Sequence, residues 1–218
     1  MSAEMENTLA NLRREYLRSD LNEEHVESDP FKQFEKWFQE AVKAQISFPD
    51  AMTLATVTSD GTPDARVVLL KDLERDGLCF YTNYLSAKGR QLEINPAATL
   101  LFFWPELERQ VRIKGTVHKM READSDKYFL SRPIGAQLAS SISPQSEVVE
   151  SRAWLETEIK KADAKNAQAP VKRPPHWGGY VLTAREFEFW QGRENRLHDR
   201  IRYRLNLDKS WTKARLAP

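Results

Sequence analysis

The spacing of apolar residues changes at Pro49, and this change most limits the folds open to the chain. Before Pro49, aromatic residues from Phe31 to Phe38 recur with helical spacing behind the pair Asp29-Pro30, which predicts a capped, core-facing helix. After Pro49, short runs rich in β-branched and aromatic residues follow one another, with Asp-Gly pairs between the first three. These runs predict strands at Met52–Thr58, Ala65–Lys71, Leu78–Thr82, Thr99–Trp104, Arg109–Lys119, Gly179–Thr183, Glu186–Gln191, Arg200–Leu205 and Ser210–Arg215.

Eight or nine short strands in 218 residues leave many strand edges that must be closed or covered. The sequence therefore predicts a mainly β (α+β) fold in which a β-barrel is surrounded by helices. Further helices are predicted at Ser86–Asn95, Arg121–Ser131 and Ser146–Lys165. We expect residues 1–28 to form a mobile N-terminal segment or lid, and residues 29–218 to form a single domain.

The net charge, the apolar runs and the cysteine count exclude several kinds of partner and site. The chain has 33 Lys and Arg residues against 32 Asp and Glu residues, so its net charge of +1 provides no global field for nucleic acid or an anionic membrane. No stretch approaches the roughly 18 apolar residues of a membrane span. Cys79 is the only cysteine, which excludes a disulfide framework and a Cys-x-x-Cys pair. We expect a cytoplasmic protein without a metal site, a nucleic-acid partner or a membrane partner.

Two clusters of polar residues accompany the first strands. Arg66 and Lys71 bracket an apolar run, and side chains five residues apart in a strand point to opposite faces, so the two would serve different neighbours or opposite rims. From these residues alone, solvent-exposed strand ends are the favoured interpretation. The strand that contains Tyr81 is followed by a predicted helix start with Ser86 and Lys88. Free backbone N–H groups, a hydroxyl and a lysine there suit an anion, and the uncharged strand end suits a flat ring. An ordinary capped surface helix is the alternative interpretation.

Two further clusters follow. Tyr128 and Arg132 are four residues apart on a predicted helix, so they share a face and are able to hold a phosphate together, or they form a simple surface pair. Between Trp190 and Arg200, three arginines, a histidine and two acids crowd a turn between two predicted strands. A site for an anionic aromatic ligand needs both the tryptophan and the charges. A structural salt-bridge corner is the second interpretation.

The last cluster resembles the C-terminal signature of the pyridoxine/pyridoxamine 5′-phosphate oxidases, with Glu-Phe-Trp-Gln-Gly at 188–192 and Asn-Arg-Leu-His-Asp-Arg at 195–200. The resemblance runs in order from Leu12-Arg13-Arg14-Glu15-Tyr16 to the terminal Arg-Leu-Ala-Pro, and so covers nearly the whole chain. It also includes the stretches Arg66–Lys71, Phe80–Asn83, Asn95-Pro96, Glu108–Val111 and Trp177–Gly179.

The resemblance implies an FMN-binding split β-barrel that works as a homodimer, with FMN in clefts at the subunit interface. It implies oxidation of pyridoxine and pyridoxamine 5′-phosphates to pyridoxal 5′-phosphate, with electrons passing through the flavin to O2 and release of H2O2 and, from the amine, ammonia. The implied FMN contacts are Arg66, Val67, Val68, Leu69, Leu70, Lys71, Tyr81, Thr82, Lys88, Gln110, Gln145, Ser146, Trp190 and Arg200. The implied substrate contacts are Arg13, Arg14, Glu15, Tyr16, Lys71, Tyr128, Arg132, Arg196, Leu197 and His198, with Arg196 and His198 as the catalytic pair.

Two residues depart from the pattern of this family. Ala87 stands where an arginine near the FMN phosphate is common, and Ala136 stands where a serine often helps to bind the substrate phosphate. We expect the first change to lower FMN affinity and the second to raise KM. Two other functions remain open: a different split-barrel flavoprotein such as a flavin reductase, or a non-catalytic carrier of pyridoxal 5′-phosphate. A flavin reductase gives Tyr128 and Arg132 no phosphate to hold.

Overall fold

The computed structural model describes residues 20–74, 77–166 and 171–218. The chain divides into two compact units. One unit contains the described residues before Asp50 together with Leu101–Arg112 and Glu186–Pro218, and the other contains the described residues of Asp50–Leu100 and Ile113–Arg185. The proposed lid residues Arg13, Arg14, Glu15 and Tyr16 lie outside the described residues.

The described residues form nine strands and five α-helices, which confirms the predicted mainly β class with accompanying helices. In chain order these are α1 (Pro30–Lys43), β1 (Ala51–Val57), β2 (Pro63–Leu69), β3 (Asp72–Glu74), β4 (Gly77–Asn83), α2 (Ala87–Ile94), β5 (Ala97–Trp104), β6 (Arg109–Lys119), α3 (Glu122–Ser131), α4 (Ile134–Ile142), α5 (Arg152–Asn166), β7 (Trp177–Gln191), β8 (Asp199–Leu205) and β9 (Trp211–Arg215). The strand order is β2-β1-β5-β6-β7-β4-β3, with β8 paired to β7 and β9 paired to β8. None of the described helices is long and apolar enough to cross a membrane.

Helix α1 supplies aromatic side chains to the core of the unit that also contains Leu101–Arg112 and Glu186–Pro218. The Asp29 side chain accepts a hydrogen bond from a backbone N–H in the first turn, as predicted for an N-cap. Phe34 and Trp37 are buried, and their ring centroids lie 5.0 Å from Phe102 and 5.3 Å from Phe189, respectively. These ring distances favour aromatic packing, so the helix packs on the core through the aromatic face that its apolar periodicity predicted.

In the other unit, antiparallel pairing brings together the strands that carry the site. Leu54 on β1 pairs with Arg66 on β2, and Tyr81 on β4 pairs with Gly179 on β7. A Cβ atom at Gly179 would lie 2.8 Å from the Tyr81 ring, so only glycine lets this ring lie against the neighbouring strand. The pairing of Tyr81 with Gly179 therefore places the Tyr81 ring against β7.

Several predicted elements and boundaries differ from the structure. The two strands predicted at 179–183 and 186–191 form the single strand β7. The two residues between them, Ala184 and Arg185, include neither glycine nor proline, and Ala184 is buried, so the strand continues through them. Strand β3 and helix α4 were not predicted. The helix predicted from Ser146 begins at Arg152, and Ser146 itself has a left-handed φ of 77°, which an α-helix does not accommodate.

Candidate functional site

A cleft of about 400 Å³ opens in the unit formed by Asp50–Leu100 and Ile113–Arg185. Most of the residues that line it were predicted as cofactor or substrate contacts. Its lining consists of Arg66, Val67, Val68, Leu69, Lys71, Tyr81, Thr82, Lys88, Tyr128, Arg132, Ser140, Gln145 and Trp177. Residues from separate predicted clusters thus meet in one place.

Strand β2 and the residues that follow it supply apolar side chains and two cations, Arg66 and Lys71, to the cleft lining. Arg66 and Lys71 have different neighbours, as their spacing predicted, and exposure alternates from the half-buried Arg66 to the buried Leu70 and the exposed Lys71. The backbone N–H of Lys71 donates to Cys79 O at 2.9 Å, and the Lys71 ammonium pairs with Asp50 at 2.9 Å. Arg66 and Lys71 nevertheless both line the cleft.

The Arg66 guanidinium is held by polar groups of strands β1 and β2 and helix α2. Its Nη1 donates to Leu54 O at 3.2 Å and to Thr56 Oγ1 at 2.5 Å. Its Nη2 lies 2.5 Å from Asp64 Oδ2 and donates to Gln91 Oε1 at 3.1 Å. Because these partners leave its position little freedom, Arg66 is a fixed positive charge beside the cleft.

The N-terminus of helix α2, together with Lys88, is a second source of positive charge beside the cleft. Ser86 caps the helix by accepting a hydrogen bond from the Gly89 N–H at 3.3 Å. The Lys88 ammonium donates to three uncharged oxygens, those of Thr82 at 3.3 Å, Ser86 at 3.4 Å and Gln145 at 3.2 Å. Burial, reinforced by the positive charge of Arg66, lowers the pKa of Lys88. A helix N-terminus with two neighbouring cations is suited to an anion.

Stacked aromatic rings form the opposite wall of the cleft. Tyr81 and Tyr128 stack with ring centroids 3.8 Å apart, and Trp177 lies 5.5 Å from Tyr81 in a nearly parallel plane. The Arg132 guanidinium lies 4.6 Å from the centroid of Trp177 and donates to Ser140 Oγ at 2.7 Å. Burial raises the pKa of Tyr81 to about 12, so its phenol stays neutral.

Sequence reasoning did not assign Ser140 or Trp177 to the site. Trp177 lies in a stretch that carried the family resemblance, and the two glycines after it were a signal of close backbone approach. Ser140 had no such signal, because helix α4 was not predicted. Within the unit that holds the cleft, two residues assigned as contacts do not line it: Leu70, which is buried, and Ser146, which is exposed.

The remaining predicted site residues that the structure describes belong to the other unit, in Leu101–Arg112 and Glu186–Pro218. A 3-10 turn at Glu194–Arg196 joins β7 to β8, as the predicted turn between strands requires. His198 lies 4.7 Å from the Trp190 ring, and its Nδ1 accepts a hydrogen bond from the Arg193 N–H at 3.1 Å. Burial and then the charge of Arg196 lower the pKa of His198, so the neutral imidazole is favoured.

Other members of this group have structural partners in the same unit. Arg200 forms an ion pair with the buried Glu188 at 2.8 Å, and Arg112 also pairs with Glu188. Gln110 lies half-buried on β6, and Leu197 is exposed. The salt-bridge corner that was the second interpretation of this cluster is therefore present around Glu188.

Comparison with known proteins gives consistent matches over the whole length. The family profile described as "Pyridoxamine 5'-phosphate oxidase" matches residues 38–166, and the one described as "Pyridoxine 5'-phosphate oxidase C-terminal dimerisation region" matches residues 177–218. Proteins named pyridoxine/pyridoxamine 5′-phosphate oxidase are 53% identical in Salinibacter ruber and 50% identical in a Nostoc species. These alignments cover 96% and 98% of this chain and 99% and 100% of those proteins.

Solved structures confirm the fold. PhzG from Burkholderia lata, determined with tetrahydrophenazine-1-carboxylic acid, matches with a TM-score of 0.86 and 31% identity over 92% of this chain and 99% of that one. An FMN-binding protein related to pyridoxamine 5′-phosphate oxidase from Nostoc punctiforme shares the fold, with a TM-score of 0.70 and 17% identity over 88% of this chain and 100% of that one. The predicted fold class, a split β-barrel with helices, is confirmed. With close relatives matching end to end, the chain belongs to the pyridoxine/pyridoxamine 5′-phosphate oxidase family.

Proposed function

We propose that this protein is an FMN-dependent oxidase that converts pyridoxine 5′-phosphate and pyridoxamine 5′-phosphate to pyridoxal 5′-phosphate. Family membership indicates an oxidoreductase, and the specific substrates are those named in its relatives. The single observation that carries the proposal is the cleft itself. It combines an apolar wall, stacked aromatic rings and two groups of cations, and a flavin and a substrate that each carry a phosphate need such a combination.

The first group of cations fits the phosphate of FMN. Arg66 and Lys88 lie beside the N-terminus of α2, and Lys88 forms no ion pair among the described residues, so its charge is available to an anion. Val67, Val68 and Leu69 offer apolar surface beside them for the flavin ring. When bound, FMN supplies the two-electron acceptor for the substrate and passes the electrons to O2 to give H2O2.

The second group of cations fits the phosphate of the substrate. Lys71, Tyr128 and Arg132 line the same cleft and present an ammonium, a phenol and a guanidinium. Ser140 and Trp177 support Arg132 by a hydrogen bond and a cation–π contact. Each charge-assisted contact contributes about 1.5–3 kcal/mol, so the loss of one weakens binding by roughly ten-fold to a hundred-fold without abolishing it.

Arg196 and His198 are assigned to the pyridine ring of the substrate, as the resemblance implies. In this role Arg196 orients C4′ for oxidation, and the neutral His198 adds a polar contact without repelling Arg196. We further propose that the protein is a cytoplasmic homodimer in which each cleft draws residues from both chains. The family profile that matches residues 177–218 is described as a dimerisation region, which supports this assembly.

Two assays test the proposal. The purified protein is expected to be yellow, and denaturation is expected to release FMN. Addition of pyridoxamine 5′-phosphate in air is expected to produce H2O2, ammonia and pyridoxal 5′-phosphate, and pyridoxine 5′-phosphate is expected to produce H2O2 and the same aldehyde. Release of FAD, or oxidation only of a carboxylate-bearing ring compound, would contradict the proposal. Binding of pyridoxal 5′-phosphate without any turnover would identify a carrier instead.

A further inference from the structure

Gln91 is a largely buried glutamine on α2 that has no role in the proposed function so far. It lies one helical turn after Lys88, on the same helix. Its Oε1 accepts hydrogen bonds from Thr56 Oγ1 at 2.6 Å and from Arg66 Nη2 at 3.1 Å. Its Nε2 donates to Asp64 Oδ2 at 2.8 Å. One side chain thus joins helix α2 to both β1 and β2.

The partners determine the orientation of the Gln91 amide. Two donors face its oxygen and one carboxylate faces its nitrogen, so a flipped amide would place like groups against each other. The Thr56 hydroxyl continues the network, because it donates to Gln91 and accepts from Arg66 Nη1. The hydrogen bond from Gln91, followed by the charge of Arg66, lowers the pKa of Asp64, so this carboxylate stays ionised.

We propose that Gln91 is a positioning residue that sets the spacing between the two cations of the FMN phosphate site. Arg66 is carried by β2 and Lys88 by α2, and Gln91 is bonded directly to Arg66 from the helix that carries Lys88. Two flexible cationic side chains bind a phosphate more tightly when they are already ordered in the free protein, because binding then loses less conformational entropy. The hydrogen bonds that Gln91 and Thr56 accept from Arg66 order its guanidinium before a phosphate binds. The inference rests on the proposed FMN site and deepens it.

Gln91→Met tests the inference, because methionine has a similar length and removes both polar ends of the amide. The test uses full-length protein freed of flavin and measures the Kd of FMN and of riboflavin, which lacks the phosphate, by flavin fluorescence. We expect the Kd of FMN to rise about ten-fold or more, the range for one lost hydrogen bond to a charged group, and the Kd of riboflavin to stay within about two-fold.

Gln33→Met is the matched control. Gln33 is also buried, its Oε1 accepts a hydrogen bond from the Glu27 N–H at 3.0 Å, and it lies on α1 outside the cleft. This control is expected to leave the Kd of both ligands within about two-fold of the unsubstituted protein, although both glutamine variants lose thermal stability. If Gln91→Met does not fold, Thr56→Val is expected to show the same phosphate-specific loss, because it removes the hydroxyl between Gln91 and Arg66.

The outcomes separate this inference from the proposed function. Equal weakening of FMN and riboflavin, or an FMN Kd no higher than that of Gln33→Met, would overturn the positioning role and leave the oxidase proposal intact. Failure of the unsubstituted protein to bind FMN would overturn both. A rise confined to FMN supports the inference.

Discussion

At the scale of single residues, the two substrate-phosphate cations are held in different ways. Arg132 lies over the Trp177 ring and donates to Ser140, and in the described part of the chain it forms no ion pair. Its charge is therefore fixed in place but not neutralised. Lys71 instead pairs with Asp50, which a substrate phosphate must partly displace. We infer that Arg132 contributes more than Lys71 to substrate affinity.

Kinetics separate these two cations from Arg196. A contact with a remote phosphate is nearly the same in the ground and transition states, so Lys71→Ala and Arg132→Ala should raise KM by roughly ten-fold to a hundred-fold, with Arg132→Ala the larger, and change kcat little. Arg196→Ala should lower kcat, because a displacement of C4′ by about 1 Å costs on the order of a hundred-fold. Steady-state assays and anaerobic stopped-flow reduction of the bound flavin at saturating substrate measure both effects.

Two variants serve as controls for this comparison. Arg196→Lys keeps the charge but loses the planar group, so it should recover little of the rate. Arg204→Ala removes an exposed arginine on β8 that pairs with Glu186, and it should change neither constant. Flavin reduction at the unsubstituted rate in Arg196→Ala would remove its role in positioning C4′.

At the scale of elements, strand β9 holds the chain that precedes α1. Arg215, the last residue of β9, donates from Nε to Glu23 at 2.6 Å and from Nη1 to Asp199 at 2.6 Å. Asp199 also accepts the Leu21 N–H at 3.1 Å, and it directly follows His198. The network therefore ties the segment at Leu21–Glu23 to the beginning of β8.

The stability provided by this network should depend on pH. The hydrogen bond from Arg215 lowers the pKa of Glu23 to about 2 from 4.5. Because the folded-state pKa is the lower one, the contribution is complete above about pH 5 and is lost as the pH falls toward 2. Arg215→Met should lower Tm by about 2–4 °C at pH 7, which corresponds to roughly 1 kcal/mol for an exposed ion-pair network.

Thermal unfolding followed by circular dichroism between pH 7 and pH 2.5 checks this expectation. The difference in Tm between the unsubstituted protein and Arg215→Met should shrink steadily below pH 5, while Arg204→Met, which removes a more exposed arginine with a longer ion pair, should show little difference at any pH. A pH-independent difference would mean that Arg215 acts through packing and not through its pairing with Glu23.

At the scale of the whole molecule, assembly and cofactor binding should be linked. Light scattering of the flavin-loaded protein should give twice the chain mass of 25.3 kDa. If each cleft draws residues from both chains, dilution that dissociates the dimer should release flavin in parallel, because binding and association share one free energy. Size-exclusion chromatography with flavin absorbance follows both quantities. A monomer that keeps stoichiometric FMN and full activity would contradict the proposal.

Interactions between residues close in the sequence determined the helix N-caps and most of the strands. The N-caps at Asp29 and Ser86 and most strand positions follow from side chains that act within a few residues, and all of them are present in the structure. The motif at 188–200 identified the family because its order of residue types is specific. The sequence alone also placed most of the cleft lining, through resemblance.

Only the tertiary structure decided which residues meet. Strand β7 continues through Ala184 because pairing and burial, which arise from distant partners, outweigh weak local propensity. Arg66 and Lys71 both line one cleft although they have different partners, and β2 stands at the end of the strand order. Gln91 and Ser140 carry no local sign of their roles, since their hydrogen bonds to Arg66 and Arg132 exist only after the strands and helices have packed. Local interactions set the elements, and long-range packing set the geometry of the site.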